Sequence, residues 1–233
     1  MSLGKLIPLP GGFFMDLFDL IGPIMVGPSS SHTAGAVRIG LACRRILGEE
    51  VAEADVTLYG SFAATGRGHG TDRAIIAGLM GMAPDDERVP DSYAEARRRG
   101  LVFSFAFGEM PQGHPNTARL VLRGVKGASA DIEAVSVGGG RIEIRRIGDM
   151  ALCFSAEQPT LIIRNEDKPG TVADVSRVLS EEKINIATFQ VNRNSRGGTA
   201  VMVIECDTPL NDALLARIRS LPGILRAVYI NRD

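Results

Sequence analysis

Apolar and polar positions follow the most regular pattern in the last third of the chain. Thr160–Arg164 is an apolar run of strand length, and Asn165–Gly170 is turn chemistry punctuated by Pro169 and Gly170. From Thr171 to Glu182, apolar residues recur at Val172, Val175, Val178 and Leu179, which is helical spacing. Ile184–Asn192 reads as a strand, Asn194–Gly198 as a hairpin turn and Thr199–Cys206 as the returning strand. Asn211–Leu221 has the pattern of a second helix and Ile224–Ile230 that of a last strand. The order is βαββαβ, the split ferredoxin-like arrangement.

The first part of the chain is less periodic. Ser30–Leu47 predicts a helix, capped by Ser29, Ser30 or Ser31, with Val37, Leu41 and Leu47 along one face. Val56–Phe62 predicts a strand, followed by a glycine-rich loop and a helix over Asp72–Met80. Leu101–Phe107, Ala118–Gly124 and Arg141–Ile147 predict three more strands, with Gly138–Gly140 as a turn before the last. Helices interleave with strands, so the fold class is α/β or α+β. The expected division is a mixed α/β domain over residues 1–153 and a ferredoxin-like domain over 158–233.

Composition bounds the function. The chain has 233 residues, 45% hydrophobic and 23% charged, ordinary values for a globular protein able to bury its own core. The formal net charge of −1 comes without a basic stripe, so no nucleic-acid partner is expected. Arg97–Arg99 is the one basic run and reads as a solvated helix end. The most apolar early segment, Phe13–Val26, is interrupted by Asp16 and Asp19 and is shorter than the ~20 residues of a spanning helix. The N-terminus lacks a basic start and a small-residue cleavage site. The expectation is a cytoplasmic protein without a membrane partner. Cys43, Cys153 and Cys206 are far apart and form no C-x-x-C pair, which reads as buried thiols.

The three histidines all sit in unusual local sequence. His32 lies in Gly27-Pro-Ser-Ser-Ser-His-Thr-Ala-Gly35, His69 in Thr65-Gly-Arg-Gly-His-Gly-Thr71, and His114 in Gly113-His-Pro-Asn-Thr117. In the first segment, three serines and a threonine open a helix whose first-turn N–H groups have no intrahelical partner and whose dipole is positive there. Such a turn can hold a carboxylate, and a histidine in it can carry a proton near neutral pH. A serine-rich cap with no ligand is the plainer explanation, but one serine suffices for capping. The second segment follows a strand and opens a helix, yet has neither the Walker A ending nor the G-x-G-x-x-G spacing. Its glycines fit close approach to a small ligand or a partner chain, and Thr71 or Asp72 can serve simply as a cap. In the third, Asn116 and Thr117 set hydrogen-bonding groups beside His114, although a plain turn explains it nearly as well.

These segments, with Gly60-Ser-Phe-Ala-Ala-Thr-Gly-Arg-Gly-His-Gly-Thr-Asp72 and Ser136-Val-Gly-Gly-Gly140, resemble the β chain of iron–sulfur-dependent L-serine dehydratase, in the order expected of it and over essentially the whole chain. The resemblance implies a two-chain enzyme that converts L-serine to pyruvate and ammonia. It also implies a [4Fe–4S] cluster held by cysteines of an α chain and not by this one. Carried onto this sequence, Ser30, Ser31, His32 and Thr33 become the catalytic candidates, with His32 the proton-transfer residue. Ser29, His69, Thr71, His114, Asn116 and Thr117 become candidates to line the same cleft.

The C-terminal unit resembles an ACT domain, a module that pairs and binds amino acids. By position, Asn165, Asp167, Gly170 and Asn185 match effector-binding positions of phosphoglycerate dehydrogenase ACT domains, except that Asn165 replaces a histidine and Asp167 an asparagine. A homodimer through this unit is expected, and a purely structural pairing module is the alternative to effector binding. The N-terminal half also resembles the extra substrate-binding domain of some phosphoglycerate dehydrogenases. That resemblance implies the competing function, a regulatory serine- or anion-binding module without catalytic residues.

Overall fold

The computed structural model describes residues 7–8, 14–15 and 24–231; the side chains of residues 7, 8, 14, 15, 67 and 69 are not among them. Most of the Phe13–Val26 segment therefore lies outside the described residues. Ile7–Pro8 and Phe14–Met15 form a two-residue antiparallel pairing. Among the described residues no helix is long and apolar enough to cross a membrane.

The first helical segment is not uniform. Ser30–Gly35 winds as a π-turn, and the α-helix proper, α1, runs Ala36–Leu47. Ser29 is the cap, its hydroxyl accepting from the His32 amide at 3.2 Å. π-Turns are wider than α-helix and cluster at functional sites; here burial of Thr33, Ala34 and Gly35 holds the turn. The face of α1 carrying Val37, Ile39, Ala42, Cys43 and Ile46 is buried.

Strand β1 spans Val51–Tyr59 and ends before Gly60, so the expected strand over Val56–Phe62 starts later and runs further than the real one. The glycine-rich segment is not a loop. It forms helix α2, Gly60–His69, followed by α3, Thr71–Leu79. Gly60 makes the turn from strand to helix with φ +56°, where a Cβ would lie 2.6 Å from the Pro115 carbonyl oxygen. Phe62 is fully buried against the sheet, so packing overrides the low helix propensity of Gly60, Gly66 and Gly68. Helix α4, Ser92–Arg98, ends in the arginine run, where Arg98 and Arg99 both pair with Glu95 on the surface, as a solvated helix end should.

The remaining strands are β2 (Val102–Gly108), β3 (Asn116–Gly124), β4 (Ser129–Gly138), β5 (Arg141–Ile147) and β6 (Met150–Phe154). They join β1 in a six-stranded sheet of order β2-β1-β3-β4-β5-β6, antiparallel except for the parallel β1–β2 pair. Periodicity missed β4 and β6. Strand β4 is rich in Ala, Ser, Asp and Glu, which have weak strand propensity, and β6 has only five residues. Helices α1 and α3 cross at backbone distance: a Cβ on Gly40 would overlap the Ile75 carbonyl oxygen, and one on Gly78 the Val37 carbonyl oxygen.

The C-terminal unit has the expected order: β7 (Thr160–Glu166), α5 (Thr171–Glu181), β8 (Ile186–Arg193), β9 (Thr199–Cys206), α6 (Asp212–Arg219) and β10 (Ile224–Ile230). Asn165 and Glu166 continue β7 rather than beginning the turn, and β8 starts at Ile186 rather than Ile184. The sheet order is β8-β9-β7-β10, all antiparallel. Its two faces are both buried. Leu161, Ile163, Met202 and Ile204 pack under α5 and α6, whereas Ile162, Val203, Val228 and Ile230 belong to the core of the first unit, against α1. Alternate residues of one strand thus serve two cores, which explains its unbroken apolar runs. Polar contacts complete the junction. Arg45 Nη1 donates to the Asn231 carbonyl at 2.6 Å, Arg226 to the carbonyls of Ile46 and Leu47, and Gln190 Nε2 to the Cys153 carbonyl at 2.6 Å. Cys43 and Cys206 are buried, but Cys153 is exposed, contrary to expectation, because it occupies an outward position of β6.

Gly78→Ala is expected to destabilise the chain by roughly 1–3 kcal/mol, since backbone on both helices must move; urea denaturation measures it. A second expectation concerns acid. Arg119 and then Arg146 hold the Asp131 carboxyl below its usual range across β3, β4 and β5. A depressed carboxyl stabilises the fold above its unfolded pKa and loses that contribution as pH falls through the folded value. The stability gap between wild type and Asp131→Asn should therefore close on acidification.

Candidate functional site

The π-turn presents His32 half-buried at the head of α1. Its Nδ1 lies 3.3 Å from the Ser29 hydroxyl and its Nε2 3.1 Å from the Ser61 hydroxyl at the start of α2. The ring also meets Phe62 edge-on, with centroids 5.2 Å apart. Ser29 already accepts the His32 amide, so its hydroxyl proton is available to Nδ1; Nε2–H then donates to Ser61 in the simplest tautomer assignment. Both ring nitrogens end on hydroxyls that can relay a proton. Ser30 and Ser31 precede His32 on the same half-buried turn.

The other segments close around this turn. The Phe62 amide donates to the Pro115 carbonyl at 3.3 Å, which ties the head of α2 to the His114 loop. That loop is a tight ring: the Asn116 amide donates to His114 Nδ1 at 3.2 Å and the Thr117 hydroxyl to the His114 carbonyl at 2.6 Å. Asn116 Nδ2 reaches the Ser136 carbonyl at 3.4 Å, and Ser136 packs so tightly on Gly35 that a Cβ there would overlap its hydroxyl. Arg38 of α1 donates to the Gly140 carbonyl at 2.8 Å. Thr71 opens α3 fully buried, on a helix that contacts the π-turn. The side chain of His69 lies outside the described residues.

Four segments far apart in sequence thus converge, and each brings one orphan. Among the described residues, the buried side-chain atoms without a hydrogen-bond partner are Thr33 Oγ1, Thr71 Oγ1, Asn116 Oδ1, Ser136 Oγ and Asn165 Oδ1. The first four come one from each segment. A buried polar atom without a partner costs about 1–3 kcal/mol, so this end of the sheet concentrates unmet hydrogen-bonding capacity. Ser61 and Ser136 lie within the motif segments, which is their signal in the sequence, and only the fold shows that they touch His32 and Gly35.

The candidates of the C-terminal unit separate into two groups. Asn165 is buried on β7, its Nδ2 donating to the Glu166 carbonyl at 2.7 Å. Asp167 accepts from Arg193 Nη1 and from the Gly197 amide, each at 2.9 Å, so it clamps the β8–β9 hairpin; these bonds hold its carboxyl below the usual range. Gly170 precedes α5 with φ +95° and open space where a Cβ would be. Asn185 lies at the other end of the sheet, donating to Asp207 at 2.6 Å. Asn165 is opposite Ala200 and Ile186 opposite Cys206, so at ~3.3 Å per residue the two asparagines are about 20 Å apart.

The two buried thiols do not fit an iron–sulfur cluster. Burial pushes the Cys43 thiol far up and Cys206 up to about 11, both away from the thiolate a metal needs. Among the described residues no three His, Cys, Asp or Glu side chains are placed to hold a metal.

Comparison with known proteins agrees with this architecture. Residues 14–100 match the family model described as serine dehydratase beta chain, and residues 159–223 match the ACT domain. The chain is 40% identical to the probable L-serine dehydratase beta chain of Bacillus subtilis, covering 93% of this chain and 98% of that one. It is 34% identical to the L-serine dehydratase beta chain of Peptoniphilus asaccharolyticus, covering 91% and 96%. A D-3-phosphoglycerate dehydrogenase of Synechocystis is 26% identical over 84% of this chain but only 35% of its own length. On the identity and coverage of the first two relatives, the chain belongs to the L-serine dehydratase β-chain family, with a C-terminal ACT domain.

Proposed function

We propose that this chain works with an α chain to convert L-serine to pyruvate and ammonia. In this reading the [4Fe–4S] cluster sits on the α chain's own cysteines and supplies Lewis acidity toward the substrate hydroxyl. The observation that carries the reading is the convergence of four segments around the π-turn that holds His32, each with a buried polar atom awaiting a partner. Such a surface suits a ligand and a second chain that supply the missing partners.

The geometry supports a role for each residue. The Ser30 and Ser31 hydroxyls, beside the head of α1, take the substrate carboxylate, where the helix dipole favours an anion. His32, fixed between Ser29 and Ser61, moves the proton. Loss of the α-proton and the β-hydroxyl as water leaves aminoacrylate, which tautomerises and takes up water to release ammonia and pyruvate. Thr33, Thr71, Asn116 and Ser136 order the cleft, and His114 with Thr117 shapes its wall. The likeness to phosphoglycerate dehydrogenase supports a second reading, a module that only binds serine or an anion. The histidine held by two serines favours the first, since sensing alone needs no proton carrier.

The ACT domain is proposed to pair two copies. Asn165 and Asn185 are too far apart in one chain to share an amino acid, so a joint effector site takes one residue from each copy.

Anaerobic co-expression with the cluster-bearing chain should give serine-dependent pyruvate, and neither chain alone should. His32→Ala in an assembled complex should lose about 10²-fold or more in kcat; an unchanged rate would leave the chain without its catalytic role. Ser61→Ala should cost roughly 1 kcal/mol of barrier, about fivefold in kcat, with an altered pH profile. For the ACT domain, sedimentation of the full chain should show a dimer, and Asn185→Ala should weaken serine binding by calorimetry; a wild-type chain that binds none has a purely structural ACT domain.

A further inference from the structure

The two sheets do not meet along their whole width. Between the far end of β4–β6 and the outer face of the second sheet lies a cavity of about 420 Å³, at the lower end of small-molecule sites. Its floor is apolar and buried: Met150 of β6, Ile162 of β7, Val201 of β9 and Val228 of β10. Its rim is charged. Arg164 projects from β7 between Val201 and Arg226 in the strand register, and it makes no hydrogen bond and no ion pair among the described residues. Facing it from the β5–β6 turn is Asp149, whose carboxylate accepts from Asn194 Nδ2 at 3.0 Å and feels the Arg164 charge.

Arg226 is already engaged with the last carbonyls of α1, so Arg164 is the guanidinium left for a ligand. A cationic group and an anionic group thus share the rim of an apolar pit. A zwitterion bearing a hydrocarbon side chain matches that pattern, because carboxylate, ammonium and side chain each meet the chemistry that stabilises them. Glycine or serine would leave the floor unfilled. The site is also separate from the Asn165–Gly170 loop, since Asn165 alternates to the other face of β7.

We propose that this interdomain cavity binds a small α-amino acid with an apolar side chain, its carboxylate on Arg164, its ammonium on Asp149 and its side chain on Met150, Ile162, Val201 and Val228. The ligand would touch both sheets, and Ile46 at the end of α1 lines the same cavity. Binding would therefore lock the packing of the ACT domain on α1, the helix that continues from the His32 turn. The proposal concerns this chain alone and stands whether or not the catalytic assignment does.

The test is calorimetry and thermal unfolding of the full chain with L-leucine as probe. Leucine should bind and raise Tm. Glycine, 4-methylpentanoate (no ammonium) and 3-methylbutylamine (no carboxylate) should bind at least about tenfold more weakly. Arg164→Gln and Asp149→Asn, both at exposed positions, should each weaken leucine by a similar factor, while Asn185→Ala should not. Absence of leucine binding in the wild type would overturn the proposal. So would unaltered affinity in Arg164→Gln and Asp149→Asn, or loss of binding in Asn185→Ala, which would place leucine at the ACT pairing site.

Discussion

The burial of α1 is the constraint on which the other features depend. One helix packs on the six-stranded sheet, crosses α3 with backbone against backbone at Gly40 and Gly78, and covers the open face of the second sheet. A βαββαβ unit shields one face of its sheet with its own helices and leaves the other apolar face to be covered. Here Ile162, Val203, Val228 and Ile230 find that cover on α1, and Arg45 and Arg226 fasten the contact through main-chain carbonyls. The same helix begins in the π-turn that holds His32. The proposed chemistry and the ACT domain therefore sit at opposite ends of one rigid element, about 18 Å of helix at 1.5 Å per residue.

Polar satisfaction follows the opposite logic at the two ends. At the C-terminal end of α1, carbonyls that would otherwise be orphaned accept from Arg226. At the N-terminal end, Thr33 and its neighbours Asn116 and Ser136 keep buried oxygens without partners. Stable packing would remove such atoms, and the proposed site, which receives substrate and a second chain, keeps them. His32 lies between these regimes, positioned by two serines yet only half-buried.

Much of this was readable in the chain itself. The period-2 and period-3.6 patterns located every element of the ACT domain to within about two residues, because each of its strands and helices has a continuous apolar face. The motif segments named the neighbourhood of the candidate site, because Ser-Ser-Ser-His at a helix start has few structural uses. Local pattern failed where packing decides. Gly60–His69 has loop composition yet folds as a helix, because Phe62 is buried and the Gly60 turn fits against Pro115. Strand β4 has weak propensity and forms because it lies between β3 and β5, with Asp131 tied to arginines on both.

By itself, then, the sequence determined the order of elements in the ACT domain, the family to which the chain belongs and the segments proposed to carry its chemistry. These are properties of short windows, where residue type and spacing suffice. Tertiary structure alone decided which serine touches His32, which buried oxygens lack partners, that Asp167 serves the β8–β9 hairpin, and that Arg164 overlooks a cavity between two sheets. Each of those depends on contacts across tens of residues, set by how α1, α3 and the two sheets pack, and no local pattern encodes a distance between them.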